Sequence, residues 1–418
     1  MHRFMMSALA SLFVLTANAA NTDPVRRSSD APTLILIGLD GFRWDLMDKV
    51  PTPNLHRLAA GGVRSEMIPV WPSLTYPNFW ALATGLYPGH SGIVANEMYD
   101  PELKESYGAK SFKDSRWWLG EPIWATVEKQ GGTAGVTSWP GAESTEGAGR
   151  PTYLLSYRPF IARQSWQERA DMVLDLLDLP DKVRPTFLTL YSADVDDNEH
   201  THGPDSKQAK AAIGRIDAMI GRLMTGLAKR KLHDKVDIIV VADHGHMGVA
   251  AGSVIEIDDY IDLDTVNRDA LGGGPMMSVW PTGASEDALY GRLANAHPHL
   301  HVFRKSELPA RYHTGDAART APLVVTADPG WVVCKRDDKH CTDVKGMHGY
   351  DNALRDMHPL FIARGPAIRA GSILPAFENV HVYSLMTHIL GLRPAKTDGQ
   401  LTPFCKVLAA PPPACDAQ

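Results

Sequence analysis

Thr33-Leu34-Ile35-Leu36-Ile37-Gly38-Leu39-Asp40-Gly41 is an almost unbroken apolar run that ends in an acid and a glycine. A strand with one wet face alternates, whereas a continuous run of this length is covered on both faces, as in a parallel sheet flanked by helices. Further strands are expected at 64–69, 134–138, 186–191, 237–242, 323–326 and 359–363. Helical patterns fall between or after them at 54–60, 77–84, 121–130, 165–177, 207–228 and 381–390, several bounded by Pro at the start or Gly at the end. This alternation predicts an α/β fold, a three-layer sandwich around a mostly parallel central sheet. The stretches 99–118 and 141–160, rich in Gly, Pro and aromatics, are expected as loops over a site, and 258–295 with its surroundings as a smaller insertion.

Composition narrows the function classes. Of 418 residues, 44% are hydrophobic and 22% charged, a globular balance that excludes a disordered, collagenous or coiled-coil chain. Lys and Arg number 42 against 48 Asp and Glu, so a net charge of −6 with no basic run argues against general nucleic-acid binding. Residues 1–20 pair a short basic start with an apolar run and Ala17-Asn18-Ala19-Ala20, the pattern of a signal peptide rather than a membrane span. Residues 21–32 then read as a flexible arm, 33–405 as one domain with insertions and 406–418 as a C-terminal tail. No later apolar stretch is long enough for a membrane anchor, so the mature chain is expected in the periplasm or secreted. In that setting the four cysteines are simplest as two local disulfides, Cys334–Cys341 and Cys405–Cys415. Seventeen His against four Cys directs attention to metal sites built from imidazole and carboxylate.

Polar residues cluster where apolar strands end. Asp40 follows 33–39, Asp243-His244 follows 237–242, and Asp196 and His200 follow 186–191. Ligands of open α/β sheets bind beyond the carboxyl ends of strands, so these groups are placed to converge. Asp196 and His200 lie one helical turn apart and share a face, although Asp194 and Asp197 could substitute in another register. Thr75, in Trp71-Pro72-Ser73-Leu74-Thr75-Tyr76-Pro77-Asn78, stands at a helix start. There it or Ser73 serves as a cap, or, beside a metal, Thr75 serves as a nucleophile. His348, between Gly346-Met347 and Gly349, sits on a loop poorly explained by core packing.

Taken together, Asp40-Gly41-Phe42-Arg43, Thr75-Tyr76-Pro77-Asn78-Phe79, Thr84-Gly85-Leu86-Tyr87-Pro88, Asp196 with His200 and Gly203-Pro204, Ala242-Asp243-His244-Gly245-His246-Met247 and His348-Gly349-Tyr350-Asp351-Asn352 resemble the nucleotide pyrophosphatase/phosphodiesterase family of the alkaline phosphatase superfamily. The order and spacing agree from about residue 33 to residue 392. The resemblance implies an alkaline-phosphatase-like fold and two zinc ions (Zn2+), one held by Asp40, Thr75, Asp243 and His244, the other by Asp196, His200 and His348. It also implies that Thr75 is the nucleophile, that Asn96 donates to a phosphate oxygen, and that Tyr76 and Tyr157 hold a nucleobase. Two departures stand out: Glu199 occupies a position usually Gly, adding an acid near the second ion, and His90-Ser91-Gly92 is transposed, which makes His90 structural.

The implied activity is hydrolysis of nucleotide phosphodiester or pyrophosphate bonds through a covalent threonine intermediate, releasing nucleoside 5'-monophosphates. A lipid or choline-type phosphodiesterase, or a phosphomonoesterase, on the same metal core is the competing enzyme reading. An exported zinc-binding protein without turnover is the non-enzyme alternative. A sulfatase is disfavoured, because Thr75-Tyr76-Pro77-Asn78 lacks the Cys or Ser nucleophile pattern.

Overall fold

The computed structural model describes residues 32–108, 111–155, 164–315 and 317–415. Its core is an eight-stranded sheet of β1 (Thr33–Leu39), β2 (Val63–Ile68), β3 (Ala134–Thr137), β4 (Tyr153–Leu155), β5 (Phe187–Ser192), β6 (Val236–Val241), β7 (Leu360–Arg364) and β8 (Phe377–Glu378), in the order β8-β2-β7-β6-β1-β5-β3-β4. Neighbouring strands run parallel except at β7, which is antiparallel to both β2 and β6. The expected strand at 359–363 therefore forms but runs against its neighbours. The edge strand β4 lies within the 141–160 stretch read as loop.

The apolar run of β1 divides between two cores. Leu34 and Leu36 join Phe79 and Trp80 of α2 (Thr75–Thr84), Ile123 and Trp124 of α3 (Ile123–Lys129), and Leu385 and Met386 of the helix Val382–Ile389. Ile35, Ile37 and Leu39 face the other way, onto α1 (Pro53–Ala60), α4 (Trp166–Leu177) and α6 (Lys207–Lys229). Ser165 caps α4 in a reciprocal capping box with Glu168, which fixes where that helix begins. Gly38 is the one small residue of the run for a packing reason: a Cβ there would lie 2.8 Å from the Trp139 ring and 2.9 Å from Phe79.

The strand expected at 323–326 forms as Leu323–Ala327 but lies outside the central sheet. It is the middle strand of a three-stranded antiparallel sheet, between Met276–Val279 and Leu300–Arg304, with its own core and the helix Glu286–Leu293. The insertion is thus larger than 258–295. The stretch 99–118 is irregular but packed: Tyr107, Phe112, Trp117 and Trp118 are buried, and Arg319 pins it through Asp100 and the Trp117 and Arg116 carbonyls. Val407 and Leu408, within the segment read as tail, are buried against the main core. Both disulfides form, with Cα separations of 5.7 Å for Cys334–Cys341 and 5.5 Å for Cys405–Cys415. Among the described residues no helix is long and apolar enough to cross a membrane.

Strand register sets where the site is built. Gly38 pairs with both Tyr191 and Val241, and Leu39 with Ser192, so β1, β5 and β6 end at one level. The opposite end carries a buried acid, Asp237, whose carboxylate accepts the Ala367 N–H at 2.9 Å. Burial pushes this carboxyl up to about 6. Ionising it in the folded state then costs on the order of 3 kcal/mol, because a raised folded-state pKa removes stability as pH climbs from the unfolded value toward the folded one. Asp237→Asn is expected to melt like the parent near pH 4 and progressively higher through pH 6, in thermal scans across that range. A pH-independent difference would contradict this.

Candidate metal centre

Beyond the ends of β1, β5 and β6 two groups of side chains that could hold a metal ion come together: Asp40, Asp243 and His244 in one, and Asp196, His200, His246 and His348 in the other. Asp40 is the residue after β1. Gly41 follows with φ 71°, a turn that suits glycine, and its N–H donates to Asp243 Oδ1 at 3.1 Å. Tyr191 of β5 donates its hydroxyl to Asp40 Oδ2, while Asp40 Oδ1 is buried without a hydrogen-bond partner. Asp243 Oδ2 is likewise unpartnered, although His244 Nε2 lies 2.9 Å away. Oxygens this close to an imidazole, yet outside hydrogen-bonding geometry, are arranged for a shared cation. Burial, then Asp243 and Asp196, pushes the Asp40 carboxyl well up, so the group is unfavourable without positive charge beside it.

The second group is organised by α5 (Asp194–His202), on which Asp196 and His200 share a face with Nε2 to Oδ1 at 3.4 Å. Asp194 instead forms a bidentate pair with Arg215 of α6, at 2.6 and 2.7 Å. Asp197 lies outside both groups, its carboxyl pushed up to about 6 by burial and then by Asp196. The register left open among the three acids thus brings Asp196 into the cluster. Burial would raise the Asp196 carboxyl, but His200 and His246 beside it hold it well below the usual carboxylate range. His200 Nδ1 donates to the Gly346 carbonyl and His348 Nδ1 to the Ser73 carbonyl, both at 2.9 Å, leaving each Nε2 bare toward the cluster. That anchoring of the outer nitrogen is the usual support of a metal-ligating imidazole. Burial, then His244 and His246, depresses His348 and keeps it neutral, the form that binds metal. The donor set therefore fits a pair of divalent ions.

Thr75 is the first residue of α2, with Leu74 at the capping position and no side-chain cap. Ser73 does not cap either, since its Oγ donates to the Tyr350 carbonyl. The capping alternative falls away because both hydroxyls are turned to other partners: Thr75 Oγ1 lies 3.3 Å from His244 Nε2. Asn96 Oδ1 accepts the Tyr76 N–H at 3.0 Å, which holds the start of α2 and directs the Asn96 amide NH2 elsewhere. A cleft of about 170 Å³ beside the clusters is lined by Leu74, Asn96, Glu97, His200, Gly272 and His348, so the insertion contributes to its wall. Tyr76 is half-buried, its ring edge-on to Phe112 at 5.3 Å. Through this contact the packed 99–118 segment reaches the site. Tyr157 lies outside the described residues.

Two departures read differently in three dimensions. Glu199 is buried, and burial pushes its carboxyl well up, toward the neutral form, so it adds little negative charge beside the cluster. His90 is remote from the clusters, with Nδ1 2.8 Å from Asp398. Sequence reading missed His246 and Tyr191 as members of the site. A third polar residue directly after 237–242 and an aromatic at the last position of 186–191 were the available signals.

A mostly parallel sheet with two acid and imidazole clusters beyond its strand ends, and a helix-start hydroxyl against His244 of the first, defines a metal-dependent hydrolase with an alkaline-phosphatase-like fold. Residues 34–351 match the family described as type I phosphodiesterase / nucleotide pyrophosphatase. The chain is 34% identical over 384 residues to human ectonucleotide pyrophosphatase/phosphodiesterase family member 5, covering 91% of this chain and 78% of that protein. It is 33% identical over 398 residues to the bis(5'-adenosyl)-triphosphatase enpp4 of Xenopus laevis, covering 94% and 85%. The structure of murine ectonucleotide pyrophosphatase/phosphodiesterase 5, solved as an inactive threonine-to-alanine variant with AMP, superposes with a TM-score of 0.85 at 34% identity, covering 90% of this chain and 100% of that one. The chain belongs to the nucleotide pyrophosphatase/phosphodiesterase family and is a hydrolase.

Proposed function

We propose that this chain hydrolyses nucleotide phosphodiester or pyrophosphate bonds on two zinc ions, releasing nucleoside 5'-monophosphates through a covalent intermediate in which the nucleotide is esterified to Thr75. The observation that carries the reading is the position of Thr75 Oγ1, 3.3 Å from His244 Nε2, at the amino end of a helix and beside two cation-seeking clusters. The similar murine protein binds AMP in a threonine-to-alanine form that is inactive, which supports the same role here. One ion would be held by Asp40, Thr75, Asp243 and His244, the other by Asp196, His200 and His348. When bound, such a pair neutralises charge on both sides of an in-line displacement.

The chain's own groups account for the remaining steps. Thr75 Oγ attacks phosphorus, forming a P–O bond as the bond to the leaving group breaks and its hydroxyl proton departs with that group, which leaves the nucleotide esterified to Thr75. Water later cleaves the Oγ–P bond, its OH leaving as part of the nucleoside 5'-monophosphate and its proton restoring the threonine hydroxyl. The Thr75 N–H at the start of α2 and the Asn96 amide would face the developing charge on the equatorial oxygens. Asn96 is held for that task by its own bond to the Tyr76 N–H. Tyr76 supplies an aromatic wall for a nucleobase, with Tyr157 proposed as its partner. Residues 33–405 are read as one catalytic domain because the ligands come from Asp40 through to His348. Two disulfides support export to an oxidising compartment.

Turnover of p-nitrophenyl thymidine monophosphate, p-nitrophenyl phosphate, p-nitrophenyl phosphorylcholine and ATP tests the reading. The thymidine diester and ATP are expected to be cleaved fastest, with activity lost on chelation and restored by zinc. Preferred cleavage of the choline ester would favour the lipid-type reading, and activity indifferent to chelator would reject the metal centre.

A further inference from the structure

We infer that His246 is a positioning residue that orients Asp196 for its metal rather than a fourth ligand of that ion, an inference resting on the metal reading above. His246 is fully buried, and its Nε2 lies 2.7 Å from Asp196 Oδ1, closer than His200 at 3.4 Å or His348 at 3.7 Å. The two outer nitrogens of His200 and His348 donate to backbone carbonyls, so their protons reside on Nδ1 and their Nε2 lone pairs face the ion. His246 lacks that arrangement: its Nδ1 is buried with no hydrogen-bond partner. A ligating His246 would have to bury an unpaired Nδ1–H, which is costly, whereas the other tautomer places its proton on Nε2 and gives it to the carboxylate. His246 therefore acts as donor to Asp196 and fixes the rotation of that carboxylate.

The surrounding backbone is built for this contact. Gly41, at φ 71°, packs over the pair, and a Cβ there would fall 3.1 Å from both the Asp196 Cβ and the His246 Cδ2. The His246 carbonyl is held by Arg43 Nη1 at 3.1 Å, and the next residues, Met247–Gly248, pair with Gly346–Met347 just before His348. The ring is thus clamped between the β1 turn and the loop that carries His348.

Zinc affinity and stoichiometry of the purified full chain, measured by competition with a chromophoric chelator, test this with His246→Phe and His246→Gln, each checked for folding by circular dichroism. The wild type is expected to bind two ions. His246→Phe is expected to weaken one of them by about 10- to 100-fold, the usual consequence of removing a supporting group, and to leave the other unchanged. His246→Gln, which still presents an N–H at the reach of Nε2, is expected to restore binding to within a few-fold and to keep the visible spectrum of the cobalt-substituted wild type. Equal affinity in His246→Phe, or loss of an ion with an altered cobalt spectrum in His246→Gln, would overturn the inference, the second outcome by making His246 a ligand. If His246→Phe fails to fold, the cobalt spectrum and affinity of His246→Gln alone decide. A wild type that binds no divalent ion would overturn the metal reading itself, and this inference with it.

Discussion

Thr75→Ala is expected to fold, to retain both metal ions and to lose diester turnover by several orders of magnitude, on the order of 10⁴ or more, as nucleophile deletions do. The substitution is structurally mild. Thr75 caps nothing and begins α2 as its first residue, where alanine is a good helix former. Its hydroxyl makes one polar contact, to His244, which remains tied to the Asp40 and Asp243 group. A residual rate would come from the electrostatic groups that remain, the Asn96 amide and the backbone N–H of residue 75. Thr75→Ser keeps the hydroxyl but frees its rotation, so it should fall between parent and alanine. Steady-state rates with the p-nitrophenyl diester, together with metal content and melting temperature, check all of this. Activity of Thr75→Ala within tenfold of the parent would reject Thr75 as the attacking group.

The second large effect is an inversion of stability at Asp40. This carboxyl is buried 3% exposed, one oxygen has no partner, and burial followed by Asp243 and Asp196 pushes it well up. Without metal, its charge is destabilising above the unfolded-state pKa, because the folded chain holds the proton more tightly than the unfolded one. Asp40→Asn removes that charge, accepts the Tyr191 hydroxyl as before, and offers an amide toward Asp243 or His244. The metal-free variant is therefore expected to melt above the metal-free parent. Added zinc reverses the order, since binding at 100 to 1,000 times Kd stabilises by about 2.7–4.1 kcal/mol and the variant forgoes much of it. Turnover of the variant should be nearly abolished. Paired thermal scans with chelator and with zinc show the crossing directly. A variant less stable in both conditions would contradict the reading of Asp40 as a charge held for a cation.

Much of this arrangement is legible in the linear sequence because β1 and β6 are continuous apolar runs, and the first polar residue after such a run falls at the sheet edge. Asp40 and Asp243-His244 come directly from that rule. Choosing among Asp194, Asp196 and Asp197 needs a partner from elsewhere, the Arg215 side chain on α6, which no local pattern announces. Strand direction is equally silent: residues 359–363 read as a strand, yet their apolar pattern does not distinguish parallel from antiparallel pairing. The strand at Leu323–Ala327 is visible too, but its neighbours are short, Met276–Val279 set between Gly and Pro residues and Leu300–Arg304 between His299 and Lys305, which hides the separate sheet they form. His246 escaped because a histidine beside an evident ligand looks redundant until the hydrogen-bond partners of its two nitrogens are compared.

The two kinds of cross-link in this fold differ in when they can form. Each disulfide joins cysteines 7 or 10 residues apart and can close as soon as its own segment exists. One cation-seeking cluster joins Asp40 to Asp243 and His244, the other joins Asp196 to His348, so neither is complete until segments distant in the chain have been brought together. A chain synthesised or translocated only as far as β5 therefore presents no finished cation trap, and one that stops short of the loop carrying His348 contains only the first. Capture of metal follows this long-range assembly, and loss of metal releases the ties from β1 to β6 and from α5 to the loop that carries His348.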